Sequence, residues 1–133
     1  MPTGVTISQM HNELRLVGTL AALNSGTGPS RVKVYALPRA ENGAPITGQA
    51  LLADIALADP AGAVAGNKLT LTQAADTLFL DDGDVGWARV ENSEGAHIMD
   101  CDCSDVGGDG QIKFASTSVL AGGIARMALA EFT

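Results

Sequence analysis

The side chains best suited to metal, redox or acid–base chemistry are concentrated in one stretch, His97 to Gly110, which reads HIMDCDCSDVGGDG. The stretch holds both cysteines of the chain, one of its two histidines and four aspartates. If residues 96–103 form a strand, its side chains alternate between two faces. One face then carries His97, Met99, Cys101 and Cys103, and the other carries Ile98, Asp100 and Asp102. An imidazole and two thiols on one face are soft ligands of the kind that zinc takes, with an aspartate of the following turn as a fourth.

The spacing of the cysteines disfavours both metal and redox chemistry. Two residues along an extended strand separate the sulfurs of Cys101 and Cys103 by about 7 Å. That separation is too long for two bonds of about 2.3 Å to one zinc ion. A disulfide between them is disfavoured by side-chain direction, and the Cys-x-x-Cys pattern of redox sites is absent from the sequence. We therefore expect both thiols to serve as small packing side chains.

The aspartates of the same region raise the possibility of a calcium site. Asp100 to Asp109, together with the acidic run Asp81–Asp84, offers several hard oxygen ligands. The spacing does not match the twelve-residue calcium loop, and Asp-Gly clusters are typical of tight turns. We expect a solvated turn, and a cation-binding module centred on Asp100 to Asp109 is an alternative hypothesis.

No catalytic motif is found in the sequence. There is no Gly-x-Ser-x-Gly elbow and no glycine-rich phosphate loop, and neither His11 nor His97 lies in a recognisable triad motif. We therefore expect no enzymatic activity, no catalytic or metal residues and no cofactor.

Trp87, the one tryptophan, shares a strand face with Arg89. Trp87 is interpreted either as a hot spot that binds sugars or a protein partner or as a large anchor of the core. In the second case Arg89 lies at the surface or pairs with a nearby aspartate.

The acidic balance of the chain excludes partners that require a basic surface. Eight lysines and arginines stand against fifteen aspartates and glutamates, which gives a formal net charge of −7 and a pI near 4.5. This sign is wrong for a phosphate backbone, so we expect no nucleic-acid partner. No signal-peptide pattern and no apolar run approaching about 18 residues occurs, so we expect no membrane partner and synthesis in a cytoplasm. At 133 residues the chain predicts a single domain, residues 1–133.

One helix is predicted near the amino terminus, over residues 8–24, after an arm at residues 1–7. Ser8 is a suitable N-cap and Gly26 follows the end. Met10, Leu14, Val17 and Ala21 fall on one face of this helix. Leu16, Leu20 and Leu23 widen its apolar surface, so we expect the helix to pack against a sheet or a neighbouring subunit.

The remainder, residues 31–133, predicts a β domain. Alternating runs predict strands over 31–37 and 68–73 and a hairpin over 85–103, and 111–119 and 123–133 are candidate strands. Residues 50–58 fit a strand or a helix, since alanine and leucine suit both, and the flanking proline and glycine favour the strand. Proline and glycine place loops at Pro38–Gln49 and Asp59–Asn67. The predicted fold is mainly β, a sandwich or a jelly-roll or barrel-like domain of six to eight short antiparallel strands with one N-terminal α-helix.

Two motifs of the carboxy-terminal half carry a family resemblance. The pattern W-x-R-[VI]-x-[DN]-S-x-G, followed by [VM], [DG] and [DV] within the next seven residues, falls on Trp87, Arg89, Val90, Asn92, Ser93, Gly95, Met99, Asp100 and Asp102. A T-S-[IV]-x-A-G-G segment follows on Thr117, Ser118, Val119, Ala121, Gly122 and Gly123. With the upstream GTGPSRVKVY turn and strand, the chain resembles a family of small virion structural proteins of tailed bacteriophages and prophages. It departs from that family at Cys101 and Cys103, where glycine or valine is common, which indicates that thiol chemistry is not the shared function.

The resemblance implies a non-enzymatic virion structural protein, assembled in the host cytoplasm. The leading expectation is a capsid decoration or cement protein that binds the major capsid protein on the outer surface of the head, in many copies, as a symmetric homo-oligomer. The alternative is a tail, baseplate or fibre-associated protein. The expected contact elements are the arm Met1–Ile7 and the loops Pro38–Gln49 and Asp59–Asn67.

Overall fold

The computed structural model describes residues 4–133, so the first three residues of the predicted arm lie outside the described part of the chain. Helix α1 spans Gln9–Leu23. Its N-cap is Ser8, whose Oγ accepts a hydrogen bond of 3.1 Å from the backbone N–H of His11. The helix predicted from the capping pattern is therefore confirmed.

A mainly β domain follows the helix. Its strands are β1 (Arg31–Tyr35), β2 (Leu51–Ala65), β3 (Lys68–Gln73), β4 (Thr77–Leu78), β5 (Gly83–Asp84), β6 (Trp87–Glu91), β7 (His97–Asp105), β8 (Ile112–Phe114), β9 (Ser118–Val119), β10 (Ile124–Ala125) and β11 (Leu129–Phe132). Seven of them close into a barrel in the order β1-β2-β3-β11-β8-β7-β6, with β6 pairing back onto β1. The predicted barrel-like class is confirmed.

Pairing within the barrel is antiparallel except between β7 and β8, which are parallel. The predicted hairpin over 85–103 corresponds to β6 and β7, with Ala88 opposite Cys101. The other four strands form two small sheets, β4 with β10 and β5 with β9. The predicted strands 111–119 and 123–133 are each divided in two, because irregular segments interrupt their alternating patterns.

The predicted loop at Asp59–Asn67 is wrong, because strand β2 continues through most of it to Ala65. The pairing with β3 shifts between Leu57 and Gly62, so Pro60 lies in a bulge outside the hydrogen-bond ladder and its missing N–H costs nothing there. The turn itself is confined to Gly66 and Asn67. The predicted loop at Pro38–Gln49, by contrast, has no regular secondary structure and is confirmed.

Helix α1 is fixed on β2 and β3 by an apolar stripe and by polar contacts near both ends. Leu16 and Leu23 are buried against the barrel core, and Leu20 is partly buried. Asn12 Nδ2 donates to Asn67 Oδ1 at 2.6 Å, and Asn24 Oδ1 accepts from the N–H of Ala61 at 2.9 Å. The other predicted face, Met10, Leu14, Val17 and Ala21, does not pack on the barrel and is exposed.

Candidate functional site

The side chains of β7 are divided between the barrel interior and its outer surface, with one departure from simple alternation. Met99, Cys101 and Cys103 pack in or against the core, as the period of two predicts, but Ile98, expected on the opposite face, packs against it as well. The pairing register with β6 shifts, since Val90 lies opposite Met99 but Glu91 lies opposite His97. This bulge moves the His97 imidazole to the outer face, so the predicted set of one histidine and two thiols on a single face is wrong.

On the outer face, His97 joins a group of polar residues around one carboxylate, which we call the Asp100 cluster: Gly43, Arg89, His97 and Asp100. Arg89 binds Asp100 in bidentate fashion, with Nε–Oδ1 at 2.8 Å and Nη2–Oδ2 at 3.1 Å. The N–H of Gly43 donates to Oδ2 at 3.1 Å. His97 Nε2 lies 3.3 Å from Oδ1, without the geometry of a hydrogen bond.

The Pro38–Gln49 loop covers this cluster. Arg39 Nη1 binds Asp102 Oδ1 at 2.8 Å, and its Nη2 donates to the carbonyl oxygen of Asp100 at 3.2 Å. Gly43 has φ +73°, and a Cβ there would lie 3.3 Å from Nδ1 of His97, so a side chain at this position meets both backbone strain and crowding. The loop that sequence alone offers as a free contact element is therefore held against β7.

Trp87 and Tyr35 form an aromatic pair next to the Asp100 cluster. Their rings stack at 4.9 Å between centroids, and the Arg89 guanidinium lies 5.4 Å from the tryptophan ring. Trp87 Nε1 donates to the carbonyl oxygen of Ala36 at 3.0 Å. The indole is completely buried, so the interpretation of Trp87 as an anchor is confirmed, and so is the pairing of Arg89 with an aspartate.

The electrostatics of the Asp100 cluster favour structure over acid–base work. Burial acts to raise the pKa of Asp100, but the hydrogen bonds from Arg89 and from the Gly43 N–H outweigh it and hold that pKa below its usual value. The same pair raises the pKa of Arg89. A carboxylate that accepts three hydrogen bonds and stays ionised is a poor proton carrier near neutral pH.

The two thiols are similarly unsuited to nucleophilic chemistry. Cys101 is buried and Cys103 is half-buried, and neither forms a disulfide. Burial raises the pKa of Cys101 to about 12 and raises that of Cys103 further still. The thiolate is the reactive form, so a raised pKa disfavours nucleophilic attack by either group at neutral pH. Cys101 lies in the core and Cys103 packs against it, so their predicted packing role is confirmed.

The acidic, glycine-rich segment between β7 and β8 folds back beside the end of β7. Strand β8 therefore begins next to Cys103 and runs parallel to β7. Asp105 Oδ1 accepts from the N–H of Gly107 at 3.0 Å, and Ser104 Oγ accepts from the N–H of Gly110 at 2.9 Å. Gly110 passes directly over the β7 backbone, where a Cβ would lie 2.6 Å from the carbonyl carbon of Cys103. In residues 4–133 no group of three or more His, Cys, Asp or Glu side chains is arranged to hold a metal ion.

A second feature, which the sequence pattern does not reveal, is an apolar groove at the two small sheets. Its volume is about 490 Å³, and we call it the β9–β10 groove. Its apolar lining includes Phe79, Phe114, Val119, Leu120 and Ile124. Arg126, also in the lining, is held by an ion pair with Asp76, in which Nε binds Oδ1 at 2.8 Å.

Comparison with protein-family models, with curated proteins and with solved structures gives no match. The class of the molecule is defined by its own structure. It is a small closed β-barrel with an N-terminal helix, a covered polar cluster and an open apolar groove. Among the residues described, no helix has the length and apolar character needed to cross a bilayer.

Proposed function

We propose that this chain is a non-enzymatic structural protein of a tailed-bacteriophage virion, bound to the outer surface of the capsid as a decoration or cement protein. The family resemblance of the motifs at Trp87–Asp102 and Thr117–Gly123 supports this assignment. The net charge of −7 supports a position on the outer face, since an acidic protein gains nothing from contact with packaged DNA.

The observation that carries the docking role is the β9–β10 groove. Large apolar side chains are exposed in and beside it, including Leu120, Ile124 and Leu78, which lies opposite Ile124 in the β4–β10 pair. Contiguous exposed apolar surface on a small domain is typical of a site that binds another protein. A partner covers this surface and excludes water from it.

The groove favours an extended segment of the major capsid protein as its occupant. Strands β9 and β10 border the groove, and within residues 4–133 each pairs with one strand only, β5 and β4 respectively. An added strand hydrogen-bonds to such an edge through its main chain and places alternate side chains in the apolar groove. Arg126 is paired with Asp76, so the groove offers little unpaired charge to its occupant. We therefore expect the segment of the capsid protein that enters the groove to be apolar.

The test is binding of purified chain to capsids assembled without it. Ile124→Glu places a carboxylate in the groove and is expected to weaken binding at least about 100-fold, since an unpaired buried charge is costly. Val106→Glu is the matched control, because Val106 is exposed in the β7–β8 turn and does not line the groove. Equal binding by both variants would contradict the groove as the docking site.

The location on the particle is tested by copy number. Quantitative mass spectrometry of purified virions gives the ratio of this chain to the major capsid protein, and a ratio near that of a lattice component supports decoration. A few copies per particle would place the chain in the tail or baseplate instead. Its absence from virions would refute the proposal, and a chelator that lowers the melting temperature would then favour the cation-binding module at Asp100 to Asp109.

A further inference from the structure

We propose that helix α1 pairs with α1 of a second copy of this chain through the seam formed by Met10, Leu14, Val17 and Ala21. These four residues follow one another at intervals of four, three and four, the spacing that places apolar side chains along one line of a helix and favours helix–helix packing. Ile7, in the segment that leads into the helix, is exposed as well. The inference deepens the proposed function, because it identifies how copies of a virion protein contact one another.

The seam is separate from the face that packs on the barrel. At 100° per residue, its centre lies roughly 120° around the helix from the stripe of Leu16, Leu20 and Leu23. Met10 is 71% exposed, Leu14 is 63% exposed and Val17 is 48% exposed. One apolar stripe of the helix thus packs on its own barrel, and the other is exposed to solvent.

The helix holds the seam in a fixed position before any partner arrives. Glu13 Oε1 accepts from the N–H of Asn67 at 3.0 Å, which adds to the contacts of Asn12 and Asn24 with the barrel. Since the helix is already ordered, association has little backbone entropy to overcome.

The area of the seam matches what a second copy requires. Together with the exposed Val5 and Ile7 of the segment that leads into the helix, the three large seam side chains present about 500 Å² per copy. A two-fold pair that covers them on both copies buries up to about 1,000 Å², the size at which specific interfaces begin. A two-fold contact uses the same patch on both copies, so one uncharged line of side chains is its own complement.

Charge also favours this face for contact between two acidic copies. Helix α1 carries one glutamate and one arginine, Glu13 and Arg15, whereas the chain as a whole has a formal charge of −7. Because the helix has no excess of either sign, contact through it adds no charge repulsion between the helices themselves.

The test uses the purified chain alone, so its outcome is distinct from binding to capsids. Sedimentation equilibrium is expected to give the mass of a dimer for the natural chain. Leu14→Glu is expected to raise the dissociation constant at least about 100-fold, because it brings two carboxylates together in an apolar seam. Val106→Glu, an equal charge change at an exposed site off the seam, is expected to leave the dimer intact, with circular dichroism confirming that both variants fold.

Cysteine cross-linking checks the contact directly. Leu14→Cys and Val17→Cys, oxidised singly and as a mixture, are expected to give disulfide-linked dimers. The natural chain is expected to give none, because Cys101 is buried and Cys103 packs against the core. A monomer at high concentration, or a dimer that persists in Leu14→Glu, would overturn the proposal. If the natural chain forms the dimer but does not bind capsids, only the proposed function is contradicted.

Discussion

Removal of the Asp100 carboxylate is the most informative perturbation of the covered cluster. In Asp100→Ala the Arg89 guanidinium loses its counter-ion and both hydrogen bonds of the pair, while the N–H of Gly43 loses its acceptor. The side chain of Arg89 is only 7% exposed, so water does not replace the missing carboxylate. The variant therefore leaves a buried charge without compensation.

The magnitude follows from the burial of the pair. Breaking a buried ion pair by removing one partner costs about 3–5 kcal/mol. In a domain of this size 1 kcal/mol corresponds to roughly 3–5 °C, so the melting temperature is expected to fall by roughly 10–20 °C. Arg89→Leu combined with Asp100→Leu removes both charges and is expected to recover at least about half of that loss.

The assay is urea unfolding followed by the fluorescence of Trp87, which is completely buried in the folded chain. Asp76→Ala is the matched control, since it removes the carboxylate of an exposed pair with Arg126 and is expected to cost less than about 1 kcal/mol. If Asp100→Ala proved no more destabilising than Asp76→Ala, or if the double variant lost more than the sum of its single changes, the account of the cluster as a buried structural pair would be refuted.

Three further outcomes are expected. Gly110→Ala places a Cβ 2.6 Å from the backbone of Cys103 and is expected to cost about 1–3 kcal/mol in thermal unfolding, whereas Gly107→Ala, with its nearest neighbour at 3.6 Å, is expected to cost far less; equal losses would contradict the close crossing. Since burial raises the pKa of Cys101 to about 12, a thiol reagent at pH 8 is expected to modify neither cysteine until the chain is denatured, and rapid labelling of folded protein would show the thiols accessible. Because the folded pKa of Asp100 is lowered, its contribution to stability is complete above the unfolded value of about 3.9 and is lost as the pH falls through the folded value, so acid unfolding of Asp100→Ala is expected to show a shallower dependence on pH in that range.

Local patterns in the sequence predicted the elements whose structure is decided locally. Ser8 caps the helix through a hydrogen bond to a residue three positions away, and the alternation of Val32 and Val34 is read directly as a strand with one buried face. The hairpin of β6 and β7 is closed by a short turn, so its residues are near neighbours in the chain. Each of these features leaves a signature within about ten residues.

Features set by distant parts of the chain left no such signature. The bulge that turns His97 outward is a matter of register against β6, and Gly43 reaches Asp100 across 57 positions of sequence. The strands β4, β5, β9 and β10 have two residues each, too few to show a period. The sequence therefore included pairing with an aspartate as one of two interpretations of Arg89, but it indicated neither the loop that covers the pair nor the β9–β10 groove.

Closure of the barrel has a consequence for the behaviour of the chain at high concentration. Each of the seven barrel strands has a hydrogen-bonded neighbour on both sides, so the sheet offers no long edge on which further chains could stack as β-structure. The edges that border the groove belong to two-residue strands, shorter than the six or seven residues that seed cross-β fibrils. The large apolar side chains that the chain exposes are therefore not accompanied by a long free strand edge, the feature on which amyloid-like aggregation begins.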